Sequence, residues 1–319
     1  MNYRRLGDLA ARISEIGFGA WGLGGDAYGP IAEEDALATL RCAYEEGINF
    51  FDTADLYGNG RSEALLGKAF ESCREEMVIS TKVGFSHDGK DQDFSVAHIK
   101  RSIEQSLRRL RTDRVDVYFL HNPPMEALAA GEVLQTLEDL KRAGKARLTG
   151  VSVRRPQDGL EAIGKYGVRC VQVNLSMIDQ RALECGLLAL ASKKGAGVIA
   201  RTPLCFGFLA GKRASEIADD GTDHRSGWPK EQLEHWSRAA ELFSGLSDGG
   251  KRSAVDAALQ YCLSFDAVSA VIPGMMNADQ VRQNAAASQP SKRLNAREQD
   301  RIKKIYEEYY SRPLAPKRL

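Results

Sequence analysis

Long apolar runs are missing from this chain. No stretch approaches the roughly 20 apolar residues that a membrane-spanning helix needs, and "MNYRRLGDLAARISEIGFG" lacks the apolar segment of a secretory signal. An excess of one charge is missing too: 44 Lys and Arg face 43 Asp and Glu. No basic block is long enough for a nucleic-acid arm, and the tail "APKRL" is a short solvated end. Cysteine is sparse. Cys42, Cys73, Cys170, Cys185, Cys205 and Cys262 form no CxxC pair or Cys/His cluster, and the five histidines show no ligand spacing, so no metal site is expected. Mostly apolar or helical surroundings mark these cysteines as reduced core thiols of a cytoplasmic protein. Repeats, low-complexity segments and linkers are absent as well, and residues 1–319 read as a single domain.

What is present is alternation. Eight short apolar segments read as buried strands: 13–21, 48–53, 77–83, 115–121, 146–153, 170–175, 197–203 and 267–274. Helical periods separate them. In 95–110, Ser95 is placed to cap a stripe of Ile99, Ile103, Leu107 and Leu110. In 131–144 the stripe is Val133, Leu134, Leu137 and Leu140, with Gly144 where a helix stops. Pro156 fits the first turn of the next helix, which buries Leu160 and Ile163. Strand followed by helix eight times predicts parallel βαβ units closed into a (β/α)8 TIM barrel. An open doubly wound sheet is disfavoured, because no GxGxxG turn follows the first strand; "GAWGLGG" leads into "DAYGP" instead. Residues ahead of the barrel should form a short N-terminal hairpin covering its bottom. Residues 204–230 make a long, Gly- and charge-rich loop after strand 7, and such loops are more often functional than idle.

A barrel collects its chemistry at the C-terminal ends of its strands. There the second strand delivers Asp52, the third Lys82 and the fourth His121, with Tyr57 in the first of these loops. Taken singly, Asp52 reads as a turn cap, Lys82 as a solvated strand end, His121 as bonded to a carbonyl and Tyr57 as packing. Taken together they form an acid–base set. A free phenol has a pKa near ~10; a neighbouring Lys82 would favour the phenolate, and Asp52 would hold the ammonium. Tyr57 then serves as general acid toward a nascent oxyanion, with His121 positioning the substrate oxygen. A Schiff-base lyase with Lys82 as nucleophile is a competing reading.

The order and spacing of "FDTADLYGNG", "STKVG" and "HNP" resemble the aldo-keto reductase superfamily, over essentially the whole chain. The resemblance implies hydride transfer between a nicotinamide cofactor and an aldehyde, ketone or sugar carbonyl, with Asp52, Tyr57, Lys82 and His121 as catalytic tetrad and no Rossmann fold. Among cofactor contacts, Ser152 in "GVSV" and Gln172 in "VQVNL" match those to the carboxamide, although Val153 replaces the usual asparagine. Arg201 stands where many members stack an aromatic on the nicotinamide, and a guanidinium plane also stacks. Leu204, Gly207 and Leu209 match the loop over the pyrophosphate. In "PGMMNADQVRQN", Gly274 and Gln280 stand where a lysine and an arginine usually hold the adenosine phosphate; Asn284 matches the adenine contact. Asn277 is placed to cap the final helix. Trp21 is counted with the cofactor contacts and, with Trp228, as a platform for a ring or sugar. NADP(H) is expected as the preferred cofactor, with NAD(H) usable, in a cytoplasmic monomer that binds neither nucleic acid nor membrane. The family's channel-associated members make a cofactor-binding regulatory subunit the alternative.

Overall fold

The computed structural model describes residues 1–86, 89–218, 220–246 and 252–312. β1 (Tyr3–Arg4) and β2 (Ile13–Ser14) pair antiparallel as the expected hairpin. The barrel strands follow as β3 (Phe18–Gly19), β4 (Phe50–Asp52), β5 (Val78–Val83), β6 (Val115–His121), β7 (Ala146–Val153), β8 (Cys170–Asn174), β9 (Gly197–Arg201) and β10 (Val268–Ile272). All neighbours pair parallel and in chain order. Gly17 N donates to Val271 O at 2.8 Å and Gly19 N to Pro273 O at 3.0 Å, so β3 meets β10 and the barrel closes. Closure joins the two edge strands of the eight-stranded sheet.

β6 and β7 begin and end where the apolar pattern places them. The segment 13–21 departs most: it divides into β2, the two-residue β3 and a 3-10 turn at Ala20–Gly24. Close approach explains the break. A Cβ on Gly19 would lie 2.8 Å from the Ile272 carbonyl oxygen, so only glycine lets the strand close the barrel there.

Strand alternation builds two cores. Phe50, Val117, Phe119, Leu148 and Ile199 point inward and are floored by Leu6, Leu9 and Ile13 of the hairpin region. Phe51, Ile79, Tyr118, Val151 and Val171 point outward onto the helices. The helix Val96–Leu110 buries the expected stripe, and Ser95 Oγ accepts from His98 N at 3.2 Å. Pro156 opens the helix Pro156–Gly164. Leu134 and Leu160, expected in the core, are half-buried at its margin. All six cysteines are thiols, four of them buried.

The segment after β9 is no plain loop. It holds 3-10 turns at Cys205–Ala210, Ala214–Glu216 and His224–Gly227, then helices Lys230–Ser237 and Ala239–Leu242. His224 N donates to Ala27 O at 2.8 Å, which ties this segment to the turn after β3 across the barrel mouth.

Candidate active site

Register brings the predicted acid and ammonium together. Asp52 ends β4 beside β5, and Lys82 lies one residue before the end of β5. Lys82 is completely buried. Its Nζ donates to Asp52 Oδ2 at 2.7 Å, to the Thr53 carbonyl at 2.6 Å and to Tyr57 Oη at 3.3 Å. Three acceptors use all three ammonium protons. Asp52 Oδ1 accepts in turn from Ser80 Oγ and Gln172 Nε2, both at 2.7 Å. His121 ends β6, and its ring stands edge-on to Tyr57 with centroids 6.1 Å apart. The four residues therefore converge on one point of the mouth.

Burial sets their protonation. Removal from water pushes the Tyr57 phenol above its ordinary value; Lys82 pulls it down, but by less. This corrects the expectation that the cation would leave the phenol with a lowered pKa. Lys82 is already shared with Asp52 and Thr53, and desolvation of a phenolate is the larger effect. Tyr57 thus holds its proton at neutral pH. Lys82 is depressed by burial, yet the Asp52 and Tyr57 charges raise it further, so it stays protonated and makes a poor Schiff-base nucleophile. Burial, with the positive charges of Lys82, Arg201 and Arg154, holds His121 well below the imidazole range. Its ring is neutral, and Nδ1 is sealed without a hydrogen-bond partner, so no carbonyl holds it.

Behind this set, Glu63 accepts from Thr81 Oγ1 at 2.5 Å and from Arg109 Nε at 2.6 Å. These bonds bind the helix Arg61–Phe70 to β5 and so anchor the Tyr57 loop. Asp55 in that loop has one carboxylate oxygen sealed without a partner; burial and the Glu63 charge push its pKa up to about 7.

The predicted cofactor residues ring the rest of the mouth. Ser152 Oγ donates to Gln172 Oε1 at 3.0 Å, and Gln172 donates to Asp52, so these two join the acid–base chain rather than standing free. Arg201 at the end of β9 donates from Nη2 to the Val153 carbonyl at 3.2 Å, while its Nε is buried and unpartnered. Trp21 lies 4.6 Å from the His224 ring and 6.2 Å from Tyr57 in an aromatic wall with Phe206 and Trp228. Leu204 is half-buried, Leu209 is buried, and Gly207 takes a φ of +96° in the turn between them. A Cβ on Gly274 would touch only the Gly19 carbonyl oxygen, at 4.0 Å. Gln280 Oε1 accepts from Met276 N at 2.8 Å and Asn284 is buried. Asn277 caps Ala278–Ala286, accepting from Gln280 N at 3.0 Å; that helix is not the final one, since Ala296–Tyr309 follows. Arg282 turns away, to Asp279 at 3.3 Å and Glu46 at 3.9 Å.

Sequence reasoning missed two features. Ser80 supports Asp52 and is two residues before Lys82, on the same strand face, so the period of two was a usable signal. Asp223 and Arg225 were invisible. Arg225 donates to Asp223 at 2.5 and 2.9 Å and to the Phe206 carbonyl at 2.6 Å, and its guanidinium lies 4.9 Å from the Tyr28 ring centroid. This buried pair holds the post-β9 segment over the mouth.

Comparison with known proteins decides the family. The Aldo/keto reductase family model matches residues 15–307. The chain belongs to the aldo/keto reductase family. L-galactose dehydrogenase of Arabidopsis thaliana is 33% identical over 292 residues, covering 89% of this chain and 87% of that protein. The structure of the glycerol dehydrogenase AKR11B4 from Gluconobacter oxydans superposes with a TM-score of 0.83 at 27% identity, covering 99% of this chain and 98% of that one. The holo form of aldo-keto reductase AKR11C1 from Bacillus halodurans gives 0.78 at 31% identity, covering 96% of each chain. This aldo/keto reductase is an oxidoreductase of small-molecule carbonyls that uses a nicotinamide cofactor, NADP(H) or NAD(H). Among its described residues no helix is long and apolar enough to cross a membrane.

Proposed function

We propose that Tyr57 is the general acid of a carbonyl reduction in which Lys82 and Asp52 poise its phenol and His121 orients the substrate oxygen. The observation that carries this reading is the continuous chain Gln172–Asp52–Lys82–Tyr57. It ends on a phenol that accepts from Lys82 and keeps its own proton for a donor bond into the mouth. Neutral His121 offers a second polar group beside it without a competing charge.

The residues fit a nicotinamide dinucleotide. Ser152 Oγ, the second proton of Gln172 Nε2 and the remaining lone pair of Gln172 Oε1 are available to a carboxamide. Arg201 presents a half-buried guanidinium with an unpartnered Nε–H, and a phosphate beside Gly274 would meet the amides opening Ala278–Ala286. Leu204 and Gly207 would cover the pyrophosphate, and Asn284 would meet the adenine. When bound, the cofactor supplies or takes the hydride. The chain's own part is to bind the carbonyl between Tyr57 and His121, to give its oxygen the phenolic proton, and to exclude water with the Trp21–Phe206–Trp228 wall. In the reverse direction Tyr57 takes the proton from the alcohol.

NADP(H) is the proposed preference, by about tenfold or less, with NAD(H) usable. Gly274 and Gln280 offer no cation to a 2′-phosphate, and Arg282 is engaged by Asp279 and Glu46. The proposal includes a single-domain, monomeric, cytoplasmic enzyme over 1–319 with no nucleic-acid partner. Fluorescence titration with NADPH and NADH, followed by turnover of para-nitrobenzaldehyde, tests it. Binding with steady consumption of cofactor is the expected result. Tight NADPH binding without turnover would favour a cofactor-sensing regulatory subunit.

A further inference from the structure

A cavity of about 300 Å3 opens beside the acid–base set, at the C-terminal ends of β5, β6 and β7. Phe85, Asn122, Pro124, Val153 and Arg154 line it, with Arg155 and Asp158 at the rim. It adjoins His121 through its lining residues. The Phe85 ring meets His121 edge-on at 5.2 Å, Asn122 follows His121 in the chain, and Val153 follows Ser152.

The charge in this cavity is one-sided. Asp158 is bound to Arg155 at 2.6 and 3.0 Å, so that rim pair is neutral. Asp52 is matched by Lys82, and Asp179, the other carboxylate near Arg201, is held by Arg181 at 2.7 Å. Arg154 is exposed and makes no ion pair among the described residues. Burial is the main cause that shifts His121 and Arg201 toward their neutral forms, and the Arg154 charge adds to it in both. Around the same place three buried polar atoms stand without partners: His121 Nδ1, the Asn122 amide oxygen and Arg201 Nε. Arg154, with no carboxylate bound to it among the described residues and with the cavity's own Asp158 neutralised by Arg155, describes a receptor for an anion.

We propose that this pocket selects carbonyl substrates carrying an anionic group, a carboxylate or a phosphate, about one aromatic ring's length from the carbonyl, and that Arg154 is the residue that recognises it. The proposal rests on the reductase reading above and adds the substrate class. The carbonyl would lie between Tyr57 and His121, and the anion would reach Arg154 past Phe85.

The test uses two aldehydes of similar shape, para-carboxybenzaldehyde (anionic) and para-nitrobenzaldehyde (neutral). Because their intrinsic reactivities differ, the quantity compared is the ratio of their kcat/KM values in each variant against wild type. Arg154→Gln should lower the preference for the anion by roughly 10- to 100-fold, the worth of one charge-assisted hydrogen bond, mainly through KM. Arg154→Lys should recover part of it. An unchanged ratio in Arg154→Gln, with both aldehydes turned over, would overturn the proposal. If neither aldehyde is turned over, the reductase reading is what fails. Calorimetric affinities of the two aldehydes for wild type and Arg154→Gln then decide the anion site: equal affinities reject it, and an anion preference lost in the variant supports it.

Discussion

On the β4–β6 side of the barrel mouth, Asp52 and Lys82 hang from regular strands, and register alone sets them 2.7 Å apart. On the β9 side, the chain leaves its strand through Thr202, Cys205 and Phe206, all with φ between +44° and +56°, and is held down by the Asp223–Arg225 pair. Non-glycine residues there are strained, and such conformations persist only where surrounding contacts impose them. One half of the site is therefore a property of the closed sheet. The other half is a clamp assembled from loop side chains. Chemistry and cofactor retention should accordingly be separable by mutation.

The sharpest break comes from Tyr57→Phe, which removes the phenolic hydroxyl held by Lys82 on the β4–β6 side. Thermal stability and cofactor Kd should stay near wild type while kcat falls by ~10²–10⁴. Comparable activity in rapid-quench single turnovers would take the proton-donor role away from Tyr57. Next is Lys82→Met, which leaves the Asp52 carboxylate buried without its cation. Removing one partner of such a pair costs about 3–5 kcal/mol, visible as a lower urea midpoint. It should also move a pH limb. Lys82 pulls the Tyr57 pKa down against burial, so its loss raises that pKa and shifts the alkaline limb of the kcat profile to higher pH. A limb that stays in place would mean that another group titrates there.

Arg225→Met tests the clamp. Asp223 would lose its buried partner, and the segment carrying Phe206 and His224 would lose its tie to the mouth. Cofactor affinity should drop by roughly tenfold, about 1.4 kcal/mol, with kcat at saturating cofactor affected less. Equal losses in both parameters, measured by stopped-flow binding and steady-state kinetics, would show that the two halves are not independent. The smallest effect is expected from Gln280→Arg. It restores a cation at the proposed 2′-phosphate position and should raise the NADPH-to-NADH affinity ratio by up to about tenfold. An unaltered ratio of Kd values would place the phosphate elsewhere.

Much of the strand-built half was legible beforehand. The strand ends at Asp52 and His121 follow from apolar runs that stop at a polar residue, and Lys82 falls one position short because Val83 still pairs with Leu120. Gln172 was found as a residue but not in its role, since nothing local says that β8 lies across the barrel interior from β4 and aims this amide at Asp52. The clamp was legible only as a long loop. Its turns depend on Arg225 reaching the Phe206 carbonyl nineteen positions away, a contact with no periodic signature.

Strand number, their parallel order and the identity of the four rim side chains are written into the chain, because alternation of hydrophobicity with turns is a local property and barrel closure follows from it. The protonation of that rim is not. Tyr57 keeps its proton through burial and the Asp52 charge, against the pull of Lys82 and Arg201. His121 keeps its neutrality through burial and the summed field of Lys82, Arg201 and Arg154, residues brought together from three different strands and the loops beyond them. Desolvation and Coulomb energy depend on distances in space, and only the folded barrel sets those distances.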